Sequence, residues 1–248
     1  MPQVDIVIPV YNEGDNIGRV LDTFVAKVRS SYRVLICYDR DDDNTLEALE
    51  RWPQRGRCEI ELVKNRGRGA HGAVMSGIER STAPLVLTYP ADDTFNAGHI
   101  DAMLALGEQG CDIVAASRFM PGGCMTGAPW LKATLVRAAA FTLYHLARLP
   151  TRDASNGLRM FSRRLVEQVP VESTAGFCYS IEWLVKCHRL GWRVGEVPSQ
   201  WFERNSGQSR FRVLKWLPHY LRWYRYAFAT TYLRARSVTL REPLVTRA

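Results

Sequence analysis

Apolar positions along the chain alternate between two rhythms. Short unbroken runs rich in β-branched residues give way to stretches in which apolar positions recur every three or four residues. Val4 to Val10 is the first run and reads as a strand. Ile17, Val20, Leu21, Phe24 and Val28 then share one helical face, behind a cap at Asp15 or Asn16. Arg33 to Tyr38 predicts a second strand, Asn44 to Trp52 a helix stopped by Pro53, and Cys58 to Val63 a third strand. A helix ending near Ser81 precedes the apolar run Leu85 to Thr88, a buried strand. Asn96 or Gly98 starts the next helix, which reaches Gln109, and Asp112 to Ser117 is a fifth strand. Strand and helix in strict alternation predict an α/β fold with a mostly parallel sheet and helices on both faces.

Beyond Ser117 the rhythm fades. Arg118 to Gly123 reads as a glycine loop, Trp130 to Leu149 as a helix closed by Pro150, and Arg152 to Gly157 as another loop. A short strand, a helix from Ser162, a helix from Tyr179 to Leu190 and a strand from Trp192 to Val197 follow. The last segment is basic and aromatic. Arg212, Lys215, His219 and Arg222 recur at helical spacing, and Leu214, Leu217, Leu221, Tyr224 and Phe228 form a second stripe. Such striping suits either a helix lying at a membrane interface or one packed on the domain. Pro218 predicts that this helix starts or kinks there. The chain divides at this point into residues 1–210 and a tail, 211–248.

The run Leu85 to Thr88 leads through Tyr89, Pro90 and Ala91 to Asp92, Asp93 and Thr94. Ligands in open α/β sheets bind at the carboxyl ends of strands. Carboxylates placed there suit Mg²⁺ or Mn²⁺ shared with substrate phosphates. The reading is a metal site at Asp92, assisted by Asp93 or Thr94. Its competitor is a helix cap or solvated turn.

Composition narrows the classes. With 248 residues and 46% hydrophobic content the chain can bury a substantial core. Its six cysteines form no Cys-x-x-Cys pair, so a zinc or redox motif is not expected and a reducing, cytoplasmic setting is. No apolar run is long enough to cross a bilayer, and Met1 to Asp5 carries no signal-peptide pattern. The formal charge of +8 is concentrated: residues 201–248 hold ten Lys/Arg against two acids. A basic tail implies an anionic partner. No nucleic-acid reader motif accompanies it, so a membrane surface or a phosphorylated substrate is expected.

Several stretches, in order, resemble family-2 glycosyltransferases with the GT-A, Rossmann-like fold, most of all the polyprenol-phosphate (dolichol-phosphate) mannosyltransferase group. The residues are Ile8-Pro9-Val10-Tyr11-Asn12-Glu13, Asp39, Asn65-Arg66-Gly67-Arg68-Gly69-Ala70, Ala91-Asp92-Asp93, Ser117-Arg118-Phe119, Asp153 to Arg159, and Arg204 to Arg210. The resemblance implies that Pro9, Tyr11, Glu13 and Asp39 hold the nucleoside of a GDP- or UDP-linked sugar. It places Arg68, Gly69 and Ala91 beside the diphosphate. It makes Asp92 the metal ligand, although Pro90 stands where the family's usual Asp-x-Asp pattern has its first Asp. Tyr38-Asp39-Arg40-Asp41 also departs from the family's acidic run, which leaves the base open. Asp41, Asp42 and Asp43 read as helix-start charges.

The implied reaction is inverting transfer of a hexose, of mannose or glucose type, to a polyprenyl phosphate, by an enzyme peripherally bound to the cytoplasmic face of a membrane. A phosphate acceptor needs cations more than a base, which makes Arg118, Arg204 and Arg210 its candidate ligands. A hydroxyl acceptor needs a general base, for which Asp153 is the candidate. Transfer to a sugar or small-molecule hydroxyl stays open, as does a catalytically weak sugar-nucleotide binder.

Overall fold

The computed structural model describes residues 1–203 and 213–241. Nine strands and eight α-helices are formed among the described residues. The first half alternates as the hydrophobic pattern predicts: β1 Val4–Pro9, α1 Gly14–Lys27, β2 Tyr32–Tyr38, α2 Asn44–Glu50, β3 Glu59–Lys64, α3 Gly69–Arg80, β4 Leu85–Thr88, α4 Ile100–Glu108 and β5 Ile113–Ser117. A 3₁₀ turn, Asn96–His99, leads into α4. The second half comprises β6 Cys124–Thr126, α5 Trp130–Phe141, β7 Arg159–Ser162, α6 Arg163–Gln168, α7 Cys178–Leu190, β8 Val194–Pro198, β9 Gln200–Phe202 and α8 Val213–Tyr232.

The main sheet has the order β3-β2-β1-β4-β7-β5-β8. All its pairings are parallel except those of β7, which runs antiparallel between β4 and β5. β6 and β9 form a separate two-stranded parallel ladder. Successive side chains of a strand point to opposite faces, and β1 divides its residues accordingly. Ile6 and Ile8 pack with Phe24 of α1 and Met103 of α4. Val7 packs on the other face, in the layer containing Val74 of α3, Trp183 of α7 and Trp223 of α8. α3 lies close on the sheet at Gly77, where a Cβ would come within 2.5 Å of both Cys37 Sγ and Val7 Cγ1.

Two helices differ from their expected extents. The stretch 130–149 is α-helical only to Phe141 and then widens into a π turn, Thr142–Leu146. The Thr142 hydroxyl turns back onto the carbonyls of Ala138 and Ala139, a side-chain bond that competes with the helical ladder. α8 begins at Val213, ahead of Pro218, which stands inside it. One face of α8 belongs to the core: Trp223 and Ala227 are buried, and Trp223 Nε1 donates to Ser173 Oγ at 2.8 Å. Arg189 of α7 donates to the Tyr226 carbonyl at 2.8 Å and stacks on the Tyr226 ring. All six cysteines are free, and Cys37, Cys111, Cys178 and Cys187 pack as buried apolar residues. No described helix is long and apolar enough to cross a membrane.

Candidate active site

β1, β2, β3 and β4 run in parallel and finish on one edge. Strand order reverses between β1 and β4, because β2 and β3 lie on one side of β1 and β4 on the other. This switch point opens a crevice for a ligand. β7 runs against its neighbours, so its amino end, with the loop 153–158, reaches the same edge as the exits of β4 and β5.

On the nucleotide side, the loop leaving β1 after Pro9 is tied to the start of α2. Asn12 takes a left-handed backbone, φ 54°, and its N–H donates to the Asp43 carboxylate at 3.0 and 3.1 Å. The Glu13 N–H donates to Thr45 Oγ1 at 2.9 Å, and the Gly14 N–H to Asn44 Oδ1 at 3.0 Å. Asp43 also caps α2 through the Thr45 N–H, so the helix-start reading of that residue holds. Tyr11, 46% exposed, borders a cavity of ≈ 210 Å³ lined also by Asn12, Arg40, Asp42 and Asp43.

Asp39, just after β2, is bonded to the glycine loop after β3. One of its oxygens accepts from Asn65 Nδ2, and the other accepts the Gly69 N–H at 2.9 Å. Asn65 Oδ1 in turn accepts the Gly67 N–H at 2.8 Å. Gly69 has φ 67°, a conformation a side chain would oppose. Arg68 is exposed immediately before α3. Of the expected nucleoside and diphosphate residues, Asp39 and Gly69 are therefore joined directly, with Asn65 bonded to both. An Asn leaving a strand just before a glycine loop is the signal that identifies such a residue.

Beyond β4, Ala91 is buried, and Asp92 and Thr94 are half-buried. The two acids have different surroundings. Asp93 Oδ1 accepts the N–H groups of Phe95 and Asn96, and Oδ2 accepts Asn96 Nδ2 at 2.6 Å. Burial raises its pKa, against the lowering effect of those donors. Asp93 thus fixes the chain entering the turn Asn96–His99, two residues ahead of its first capping position, Phe95. Asn96 also bonds both the N–H and the carbonyl of Gln200, at 2.8 Å each, which fastens the Asp92 loop to β9. Among the described residues no group of three His, Cys, Asp or Glu could hold a metal alone.

At the exit of β5 and in the loop entering β7, Arg118 and Asp153 meet each other. Arg118 Nε and Nη2 donate to the two carboxylate oxygens at 2.7 and 2.9 Å. The Arg118 N–H and groups of Ser155 and Asn156 complete the shell around Asp153, which is fully buried. Burial pulls its pKa up, but the Arg118 charge and these donors outweigh that and hold it below the ordinary aspartate value. A carboxylate so enclosed is a poor proton acceptor. Arg159, also buried, fixes the same loop by donating to the Asp153 carbonyl at 3.1 Å and to the Ser180 carbonyl at 2.7 Å. Desolvation pushes its pKa down to about 10. Arg204 and Arg210 lie outside the described residues.

A family model described as glycosyl transferase family 2 matches residues 5–169. The chain belongs to that family. Polyprenol monophosphomannose synthase of Mycolicibacterium smegmatis is 23% identical over 228 residues, covering 85% of this chain and 85% of the relative. Undecaprenyl-phosphate 4-deoxy-4-formamido-L-arabinose transferase of Serratia proteamaculans is 23% identical, over 86% of this chain and 64% of its own length. Among solved structures, glucosyl-3-phosphoglycerate synthase from Mycobacterium tuberculosis, in complex with Mn²⁺, UDP and glucosyl-3-phosphoglycerate, superposes with a TM-score of 0.63 at 17% identity, over 94% of this chain and 80% of that one. A Pyrobaculum calidifontis mannosyltransferase in complex with GDP-Man and Mn²⁺ gives 0.60 at 19% identity, over 96% and 66%. This family-2 glycosyltransferase therefore has a GT-A-like fold, and the crevice at the β1–β4 switch point is its candidate active site.

Proposed function

We propose that this glycosyltransferase moves a hexose from a GDP- or UDP-linked donor to a polyprenyl phosphate, with inversion at the anomeric carbon. The observation that carries the acceptor assignment is the Arg118–Asp153 pair. A hydroxyl acceptor must lose a proton to a base, and the carboxylate expected to take it is buried and held by Arg118. A phosphate monoester is already anionic and needs only to be held in line with the anomeric carbon. Similarity to the polyprenol-phosphate and undecaprenyl-phosphate enzymes supports the same acceptor class. Arg204 and Arg210 are assigned as the guanidinium clamp for that phosphate.

On the donor side, Pro9, Tyr11, Glu13 and Asp39 take the nucleoside, and Arg68, Gly69 and Ala91 border the diphosphate. Asp92 holds Mg²⁺ or Mn²⁺, with Thr94 beside it. One carboxylate with diphosphate oxygens and water is a sufficient ligand set for either ion, and it suits a site without a three-residue protein cage. The ion, when bound, neutralises charge developing on the leaving nucleoside diphosphate. Asp93 contributes by shaping the loop through its bonds to Phe95 and Asn96. The enzyme works at the cytoplasmic face of an anionic membrane, where its lipid acceptor resides.

The test is transfer from a panel of GDP- and UDP-sugars, with and without polyprenyl phosphate, in Mg²⁺ or Mn²⁺. A glycosylated lipid phosphate is the expected product. Efficient transfer to sugar hydroxyls alone would reject the acceptor assignment.

A further inference from the structure

α5 is amphipathic the wrong way round. Its buried residues are Ala133 and Ala140, the smallest it has. Its large apolar residues face outward: Trp130 is 78% exposed, Leu131 54%, Leu135 53% and Phe141 60%. At 100° per residue these four, with Thr134 and Ala138 between them, occupy a single arc of the helix. Thr231 Oγ1 donates to the Ala147 carbonyl at 2.6 Å, which ties the end of α8 to the segment after the π turn, and Leu146 and Leu233 on these two segments are 45% and 78% exposed. A water-facing helix gains nothing by burying alanine and exposing tryptophan, leucine and phenylalanine. Contiguous exposed apolar area of this kind marks a surface that is covered in use.

Charge indicates the cover. No Asp or Glu occurs between Asp112 and Asp153, while Arg118, Lys132, Arg137, Arg148 and Arg152 do. Arg118 is spent on Asp153, and Arg152 on Glu196. Arg137 and Arg148 are exposed, as is Arg234 beyond α8. Among the described residues the one acid bonded to α5, Glu203, is paired with Lys132 at 3.5 Å, and tryptophan and leucine flanked by exposed arginines match the interfacial zone of a bilayer carrying phosphate headgroups.

We propose that the α5 face is the surface by which this enzyme sits on an anionic phospholipid bilayer, its apolar arc entering the headgroup boundary and its arginines meeting lipid phosphates. This deepens the lipid-acceptor reading and relocates the contact. One face of the basic tail helix is occupied by the core through Trp223 and Ala227, whereas the arc of α5 is open. The chain runs from Arg118 through β6 into α5, which connects this helix to the exit of β5.

The test is flotation of the full chain with vesicles of phosphatidylcholine alone or mixed with phosphatidylglycerol. The paired change Leu131→Glu with Leu135→Glu is expected to lower affinity for mixed vesicles by about tenfold or more. Both sites are exposed, so thermal unfolding should be unchanged. Arg137→Gln with Arg148→Gln should weaken binding to mixed vesicles but not to neutral ones, by about fivefold per arginine. Wild-type-like flotation of the Leu131/Leu135 variant would overturn the proposal. So would a wild type that stays off vesicles but forms a dimer which that variant dissolves, since a second copy would then be the cover. Transfer to a short, water-soluble polyprenyl phosphate, measured without vesicles, should be equal in wild type and variant. If the wild type uses no such acceptor yet still floats, the acceptor reading fails and the bilayer face stands.

Discussion

Arg118 grips the carboxylate of Asp153 through two N–H···O bonds of 2.7 and 2.9 Å, with the acid fully buried. Arg118 leaves β5 and Asp153 lies in the loop entering β7, and their pairing converts two separate acceptor-site candidates into one structural unit. Removing one partner of a buried pair leaves an uncompensated charge, at a cost of about 3–5 kcal/mol. Asp153→Asn should therefore lower the urea midpoint strongly. At low temperature, where the variant is folded, transfer to polyprenyl phosphate should remain within about tenfold of wild type. Losing a general base costs on the order of 10²–10⁴-fold, so a folded variant with a defect of that size would restore Asp153 as the base.

The same pair gives a pH dependence. The folded-state pKa of Asp153 is depressed below the ordinary 3.8. Its contribution to stability is present above that pH and is lost as pH falls through the lower folded value. Asp5, held by Arg33 and by the Thr82 and Ala83 N–H groups against the opposing effect of burial, behaves alike. Unfolding midpoints measured from pH 5 down to 2 should fall in wild type, and less steeply in Asp153→Asn. Parallel profiles would mean that the pair does not couple folding to protonation.

Asp92 and Asp93 should separate by readout. Asp92→Ala is expected to reduce single-turnover transfer on the order of 10²-fold or more with little change in melting temperature. Asp93→Ala removes the acceptor of the Phe95 and Asn96 N–H groups and should cost about 1 kcal/mol of stability, with a smaller effect on rate. Full activity of Asp92→Ala in excess chelator would dismiss a metal there.

Asp39 and Asn65 should act together on the donor. Asp39→Ala and Asn65→Ala each release the Gly69 loop, so each should weaken nucleoside diphosphate binding by about tenfold in calorimetry, as expected for a bracket worth one charged hydrogen bond. The double variant should be less than additive. Independent effects, multiplying fully, would break the proposed bracket.

Trp223→Ala should destabilise the protein by about 3–5 kcal/mol, because its ring is buried against α7 and its Nε1 is bonded to Ser173. A melting temperature equal to wild type would mean that α8 is not part of the cooperative core.

Local pattern alone determined the first half of the fold. The run Val4 to Val10, the face Ile17-Val20-Leu21-Phe24 and the buried strand before Asp92 were legible because strand and helix periods are short-range properties of the chain. The family motifs singled out Asp39 and Gly69 from separate stretches, and the structure bonds the Gly69 N–H to the Asp39 carboxylate. Tertiary structure alone decided which acids have oxygens committed elsewhere. Asp93 is next to Asp92 in sequence, yet its oxygens go to Phe95 and Asn96. Asp153 meets Arg118 only because β7 enters the sheet antiparallel between β4 and β5. The outward arc of α5 was equally invisible, since an apolar stripe on a helix has the same period whether it faces the core or the solvent. Periodicity records that a face is apolar; long-range packing decides what, if anything in the chain, covers it.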